Sequence, residues 1–186
     1  MKKKLLLFAI PILLLPYFAL FALATIFFST KLTFFRLIME SVFHSNALLL
    51  IAALMIYCLV AIAVSVVCLV MGIRKKWDAL LMAKTAMIVK LAQVPAYIVI
   101  FILGVMLAIT IITIPFAIML FFVDCLSLVL TGLLVIASVI ITIRQGVLKP
   151  KDVRWVTLLQ FVFCADVVAS VVFYLKLRNR LKTDIL

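Results

Sequence analysis

AMIVKLAQVPAYIVIFILGVMLAITIITIPFAIMLFFVDCLSLVLTGLLVIASVIITI, residues 86–143, is an almost uninterrupted apolar run. A helix rises ~1.5 Å per residue and the hydrocarbon core of a bilayer is ~30 Å thick, so one crossing takes about 20 apolar residues. The run is too long for one crossing and too short for three with turns between them. Two antiparallel helices fit. Proline disfavours helical geometry in the residue before it and is accepted in the first turn of the next helix, so the break is expected at Thr113-Ile114-Pro115. Two spans are therefore expected over 87–113 and 116–143.

The rest of the chain has the same character. Hydrophobic residues make up 70% of 186, with a mean hydropathy of +1.49 and only four glycines, against roughly 45–50% apolar residues in soluble domains. The expected fold is an all-α integral membrane protein, a single domain over 1–186 built as a bundle of about five transmembrane helices. The first span covers 5–28, with Pro11 and Pro16 kinking it. Its basic start and Ala22-Leu23-Ala24 imitate a secretory signal. The apolar run continues through Ile26, Phe27 and Phe28, longer than the ~7–15 residues of such a region, so a retained anchor is expected. The second span covers 47–73 and the fifth 155–174. Between the first two, residues 30–46 mix Phe34, Phe35, Leu37, Ile38 and Met39 with Lys31, Arg36, Glu40 and His44, the pattern of an interfacial helix. His44, the only histidine, reads as a surface residue.

Charge sets the orientation. With the N-terminus in the cytoplasm, Lys2, Lys3, Lys4, Arg74, Lys75, Lys76, Lys84, Lys90, Arg144, Lys149, Lys151 and Arg154 lie inside, 12 of the 18 basic residues, as the positive-inside rule prefers. Five crossings leave the basic tail outside with Lys31 and Arg36. An alternative with four crossings, in which 155–174 enters and returns or lies on the inner surface, moves Lys176, Arg178, Arg180 and Lys182 inside. The absence of a central Gly or Pro in 155–174 weighs against it. The short lysine-rich start and minimal loops suit a bacterial plasma membrane.

A net charge of +12 would suggest nucleic acid in a soluble protein. Here the basic residues flank apolar runs, so anionic headgroups are the expected partners and nucleic acid is not. Cys58, Cys68, Cys125 and Cys164 form no C-x-x-C pair and have no histidine at ligand spacing; they read as small buried hydrophobes, with neither a metal site nor a cofactor expected.

Helical spacing at 100° per residue sorts the remaining polar and small residues into stripes. Cys58, Ala61, Ser65, Cys68 and Gly72 share a narrow face of the second span, a close-packing surface. Lys90, Gln93, Tyr97, Gly104 and Ala108 share one side of the third, although Pro95 should kink it, and Lys90 is expected to snorkel to the headgroups. Asp124, Ser127, Thr131, Ser138 and Thr142 line one face of the fourth. Antiparallel pairing about Pro115 puts Asp124 level with Gly104.

Asp124 and Asp166 are the acids expected at membrane depth, where an ionisable group costs ~2.5–3.5 kcal/mol on insertion scales and is a functional candidate by default. If the two approach, Ser127, Thr131 and Gln160 are the candidate companions of a proton or cation site. No His-Glu-x-x-His, G-x-S-x-G or phosphate-cradling glycine loop occurs, so no enzyme is expected. Two functions follow as expectations. One is a non-enzymatic accessory or scaffold subunit, which meets a membrane-protein partner through its small-residue faces. The other is a small proton- or cation-coupled transporter or transporter subunit using Asp124 and Asp166, in which the chain forms a homo-oligomer.

Overall fold

A computed structural model describes residues 2–74, 77–162 and 164–183, and the side chains of all of these except 2–4, 6 and 183. Lys75 and Lys76 of the second basic cluster and Phe163 of the expected fifth span lie outside the described residues, as do the side chains of Lys2, Lys3 and Lys4.

The chain is an all-α bundle, with α1 over Lys2–Phe28, α2 over Thr33–Ser41, α3 over Ala47–Arg74, α4 over Ala79–Ala108, α5 over Ile114–Arg144, α6 over Pro150–Leu159 and α7 over Ala165–Thr183. Among the described residues four helices, α1, α3, α4 and α5, are long and apolar enough to cross a membrane. It is a multi-pass membrane protein. Asp78 caps α4, accepting from the Leu80 N–H at 3.0 Å, which is how a short acidic side chain satisfies an orphan donor at a helix start. The α4–α5 turn carries a 3-10 segment, Ile111–Thr113, and is closed by Thr113 Oγ1 donating to the Leu107 carbonyl at 2.6 Å; Pro115 then stands in the first turn of α5.

Lipid tails are as apolar as leucine, so membrane helices associate through close packing and polar contacts. The α3 stripe illustrates this. Cys58, Ala61, Ser65, Cys68 and Gly72 are all buried inside the bundle, with Ser65 Oγ donating to the Leu130 carbonyl at 3.0 Å. A Cβ at Gly72 would stand 2.9 Å from the Met82 thioether, so that side chain sits against bare backbone. Elsewhere on α5, Ser138 Oγ reaches the Ala79 carbonyl of α4 at 2.7 Å. Helix α5 is the central one, packed on α1, α3, α4 and α6.

Two cysteines correct the reading of all four as buried: Cys58 and Cys68 are, but Cys125 and Cys164 are exposed. Trp77 is buried beside Gly72. In the segment before α3, α2 rests Met39 against Ala22 and Leu50, and the chain turns back through His44 and Ser45 at positive φ.

The expected fifth crossing is not one helix. Helix α6 ends at Leu159, turn residues follow at Gln160, Phe161, Val162 and Cys164, and α7 runs back. At the base of this hairpin Lys176 Nζ lies 3.6 Å from Asp152 Oδ1, so the two ends of the hairpin are on the same side. At its tip, Gln160 and Phe161 lie against Gly132, where a Cβ would meet Gln160 Cβ at 3.6 Å. Gly132 is 12 residues before the end of α5, about 18 Å into the bundle at 1.5 Å per residue. The hairpin thus enters from the end that carries Arg144, reaches the middle, and returns. The turn that seemed to require glycine is made by Cys164, which adopts φ +64, a left-handed conformation uncommon outside glycine.

This topology gathers the basic residues. Among the described residues Arg74, Lys84, Arg144, Lys149, Lys151, Arg154, Lys176, Arg178, Arg180 and Lys182 lie toward one end of the bundle, and Lys31 and Arg36 at the other.

Candidate functional site

Lys90, Gln93 and Tyr97 recur at i, i+3 and i+7 on α4, so one stripe of that helix turns three polar side chains into the bundle, and all three are buried. Each has a partner. Pro16 has no N–H to give the carbonyl four residues before it, which is that of Ile12. Gln93 Nε2 donates to that carbonyl at 2.7 Å, and Gln93 Oε1 accepts from the Tyr97 hydroxyl at 2.7 Å. Tyr97 Oη lies 3.2 Å from Ser127 Oγ on α5. The carbonyl freed by a proline in one helix is therefore the start of a polar chain that runs across two others.

Lys90 overturns the snorkelling expectation. Its side chain is 0% exposed, and Nζ donates to Asp166 Oδ2 at 2.6 Å, with Asp166 2% exposed. Eleven residues separate Lys90 from the start of α4, about 17 Å, too deep for the side chain to reach headgroups while its stripe faces inward. Asp166 sits in the first turn of α7, where the helix dipole favours a carboxylate. The hairpin tip completes itself. Gln160 Nε2 donates to the Val156 carbonyl at 3.2 Å, and Ser170 Oγ donates to Gln160 Oε1 at 3.1 Å or to the Asp166 carbonyl at 2.8 Å.

Asp124 is treated differently. It is 6% exposed, and its Oδ1 is a buried atom without a hydrogen-bond partner. Asp124 and Asp166 are within electrostatic reach of each other, yet Lys90 is bonded to Asp166. Lys90, Asp166 and Asp124 together carry one positive group against two carboxyls, so one further proton or cation makes the cluster neutral.

Asp124 also lines a cavity of about 480 Å³ between α4 and α5, walled by Ile100, Phe101, Gly104, Leu120 and Phe121. Because the two helices are antiparallel, Ile100 and Asp124 form its deep end, and Ala108 and Ala117 lie toward the turn. Phe101 and Phe121, 65% and 64% exposed outside the bundle core, rim an opening toward lipid. Gly104 leaves room there, since a Cβ on it would meet nothing within 4 Å. Phe101 divides this cavity from a second one of about 270 Å³, lined by Tyr97, Leu128, Cys164 and Asp166.

The other sequence candidates are distributed rather than gathered. Ser127 contacts Tyr97, Thr131 Oγ1 returns to the Ser127 and Leu128 carbonyls of its own helix, both at 3.0 Å, and Gln160 serves the hairpin. Gly104 and Ala108 line the large cavity and are not a packing face. Lys90 is the candidate site residue that sequence alone places at the headgroups instead. Its signal was present in the stripe it shares with Gln93 and Tyr97, since a lysine in phase with two inward polar residues faces inward too.

No protein-family model, curated protein or solved structure matches this chain.

Proposed function

We propose that this protein is a small proton- or cation-coupled carrier, or the binding subunit of one, in a bacterial plasma membrane. Its basic end faces the cytoplasm, as the positive-inside rule favours. The observation that carries this reading is Asp124, a carboxyl about 15 Å into α5 by helical rise, buried, with an unpartnered oxygen, at the deep end of a cavity. An intramembrane acid without a compensating partner is costly and is kept where a mobile ion or proton supplies the charge. Asp166 has a fixed counter-ion in Lys90 and holds the hairpin; Asp124 is the exchanging group.

The accessory-subunit reading is less well supported. It relied on small-residue faces for a partner; the stripe of α3 is buried against the chain's own helices, and Gly104 and Ala108 of α4 line the open cavity.

The test is electrical. Proteoliposomes adsorbed on a solid-supported membrane are given jumps in pH, Na⁺, K⁺ and organic ammonium concentration, and the charge displaced is recorded. Wild type should give a transient with at least one of these, and Asp124→Asn, which keeps shape and hydrogen bonding but cannot titrate, should abolish it. Absence of any transient from wild type, or an unchanged one from Asp124→Asn, removes the proposal.

A further inference from the structure

Resting on that reading, we infer that the Asp124 cavity binds an amphiphilic amine that enters sideways from the lipid between α4 and α5, its ammonium on the Asp124 carboxyl and its hydrocarbon along Phe101 and Phe121. Three observations converge. The Asp124 carboxyl lines the cavity, and its Oδ1 is buried and unpartnered. The walls are otherwise apolar, and the volume of about 480 Å³ falls in the range of pockets for organic molecules, ~300–1,000 Å³. The mouth, rimmed by Phe101, Val105 and Phe121, lies on the outer surface of the bundle.

The same features disfavour an inorganic cation. A desolvated Ca²⁺ requires about 6–8 oxygen ligands and Mg²⁺ a near-ideal octahedron, while this cavity offers one carboxyl between helices whose carbonyls serve their own backbones. An alkylammonium requires one acceptor and an apolar surface, and both are present. Depth separates a free amine from a phospholipid aminoethyl headgroup, since Asp124 lies about 15 Å from the start of its helix and headgroups stay at the surface. Exchange is balanced. A neutral amine that arrives through the lipid takes the proton from the Asp124 carboxyl, its nitrogen lone pair forming the new N–H bond as the O–H bond breaks. The resulting ammonium carboxylate is as neutral as what it replaced. The carboxylate therefore carries either its proton or the ammonium that has taken it.

The test uses the full chain in phosphatidylcholine nanodiscs and a dodecylamine carrying a photoreactive diazirine, with the matching dodecanol as its neutral control. Saturable labelling within residues 100–108 and 117–124 is expected from the amine, with the alcohol weaker by about thirty-fold or more, as for loss of a buried charge partner. Asp124→Asn should erase that preference. Gly104→Leu, which meets no backbone or side chain at its Cβ, should fill the cavity and block both probes. Equal labelling by amine and alcohol, labelling that survives Gly104→Leu, or its loss when phosphatidylethanolamine replaces phosphatidylcholine overturns the inference. The two proposals fail separately. Asp124-dependent charge displacement without amine labelling sinks the ligand and leaves the carrier, whereas saturable labelling without any charge displacement sinks the carrier and leaves the ligand.

Discussion

Lys90 Nζ lies 2.6 Å from Asp166 Oδ2, both side chains buried, and this contact ties the middle of α4 to the tip of a hairpin 76 residues further along the chain. Removing one partner from a buried ion pair leaves an uncompensated charge and costs about 3–5 kcal/mol, whereas replacing both with apolar residues of similar volume is often neutral. Asp166→Leu alone is expected to lower the thermal midpoint sharply, and Lys90→Met with Asp166→Leu to recover most of it. Unfolding followed by intrinsic fluorescence in detergent measures both. If the double variant is as unstable as the single one, the pair does more than neutralise itself.

The hairpin makes a topological prediction. Because Lys176 pairs with Asp152 across its base, Lys176, Arg178 and Arg180 lie on the side of Lys149 and opposite Lys31. In a background with the four native cysteines replaced by serine or alanine, Lys149→Cys and Arg180→Cys should react with an impermeant maleimide from one face of the membrane, and Lys31→Cys from the other. Labelling of Arg180→Cys together with Lys31→Cys would mean that residues 155–174 cross after all.

Much of this architecture was legible in the sequence because hydropathy and helical phase are local properties. The 86–143 run required two helices, Pro115 sits in the first turn of the second, and antiparallel counting put Asp124 level with Gly104; the two line one cavity. The hairpin was not legible for an equally physical reason. Its turn is made by Cys164 in a left-handed conformation, which no residue-type rule signals, and the segment is as long and apolar as a crossing. Nor could the pairing of Lys90 with Asp166 be read directly, since it depends on that turn bringing the start of α7 to the middle of α4. Phase alone could have shown that Lys90 points inward, because Gln93 and Tyr97 share its stripe.

Gln93 and Pro16 are expected to be coupled. With Gln93→Leu, the Ile12 carbonyl that Pro16 leaves without its helical donor loses the Gln93 amide at 2.7 Å, and an unsatisfied buried carbonyl costs about 1–3 kcal/mol. Restoring the backbone donor with Pro16→Ala lets α1 satisfy that carbonyl itself. The double variant should therefore be more stable than Gln93→Leu alone, and a double-mutant cycle on thermal midpoints reads the coupling. Independent, additive effects would show that the two helices do not share this carbonyl.

Gly132 sets how closely the hairpin tip approaches α5. A Cβ there would stand 3.6 Å from Gln160 Cβ and 3.8 Å from the Phe161 ring, ordinary contact distances, so Gly132→Ala should leave stability unchanged or raise it slightly through its better helix propensity, worth up to ~1 kcal/mol. Gly132→Leu has no such room. Its branched carbons would occupy the space of Gln160 and Phe161, and overpacking of this kind costs about 1–3 kcal/mol. The strain falls on the element that can yield, which is the hairpin, because α5 is held on several sides by α1, α3 and α4. Displacing the tip would also pull Asp166 from Lys90, since only a few residues separate Gln160 from the start of α7. Gly132→Leu is therefore expected to increase proteolysis within residues 145–165 in detergent while leaving α1 to α5 intact. Cleavage spread over the whole chain would show instead that the bundle and the hairpin unfold as one unit.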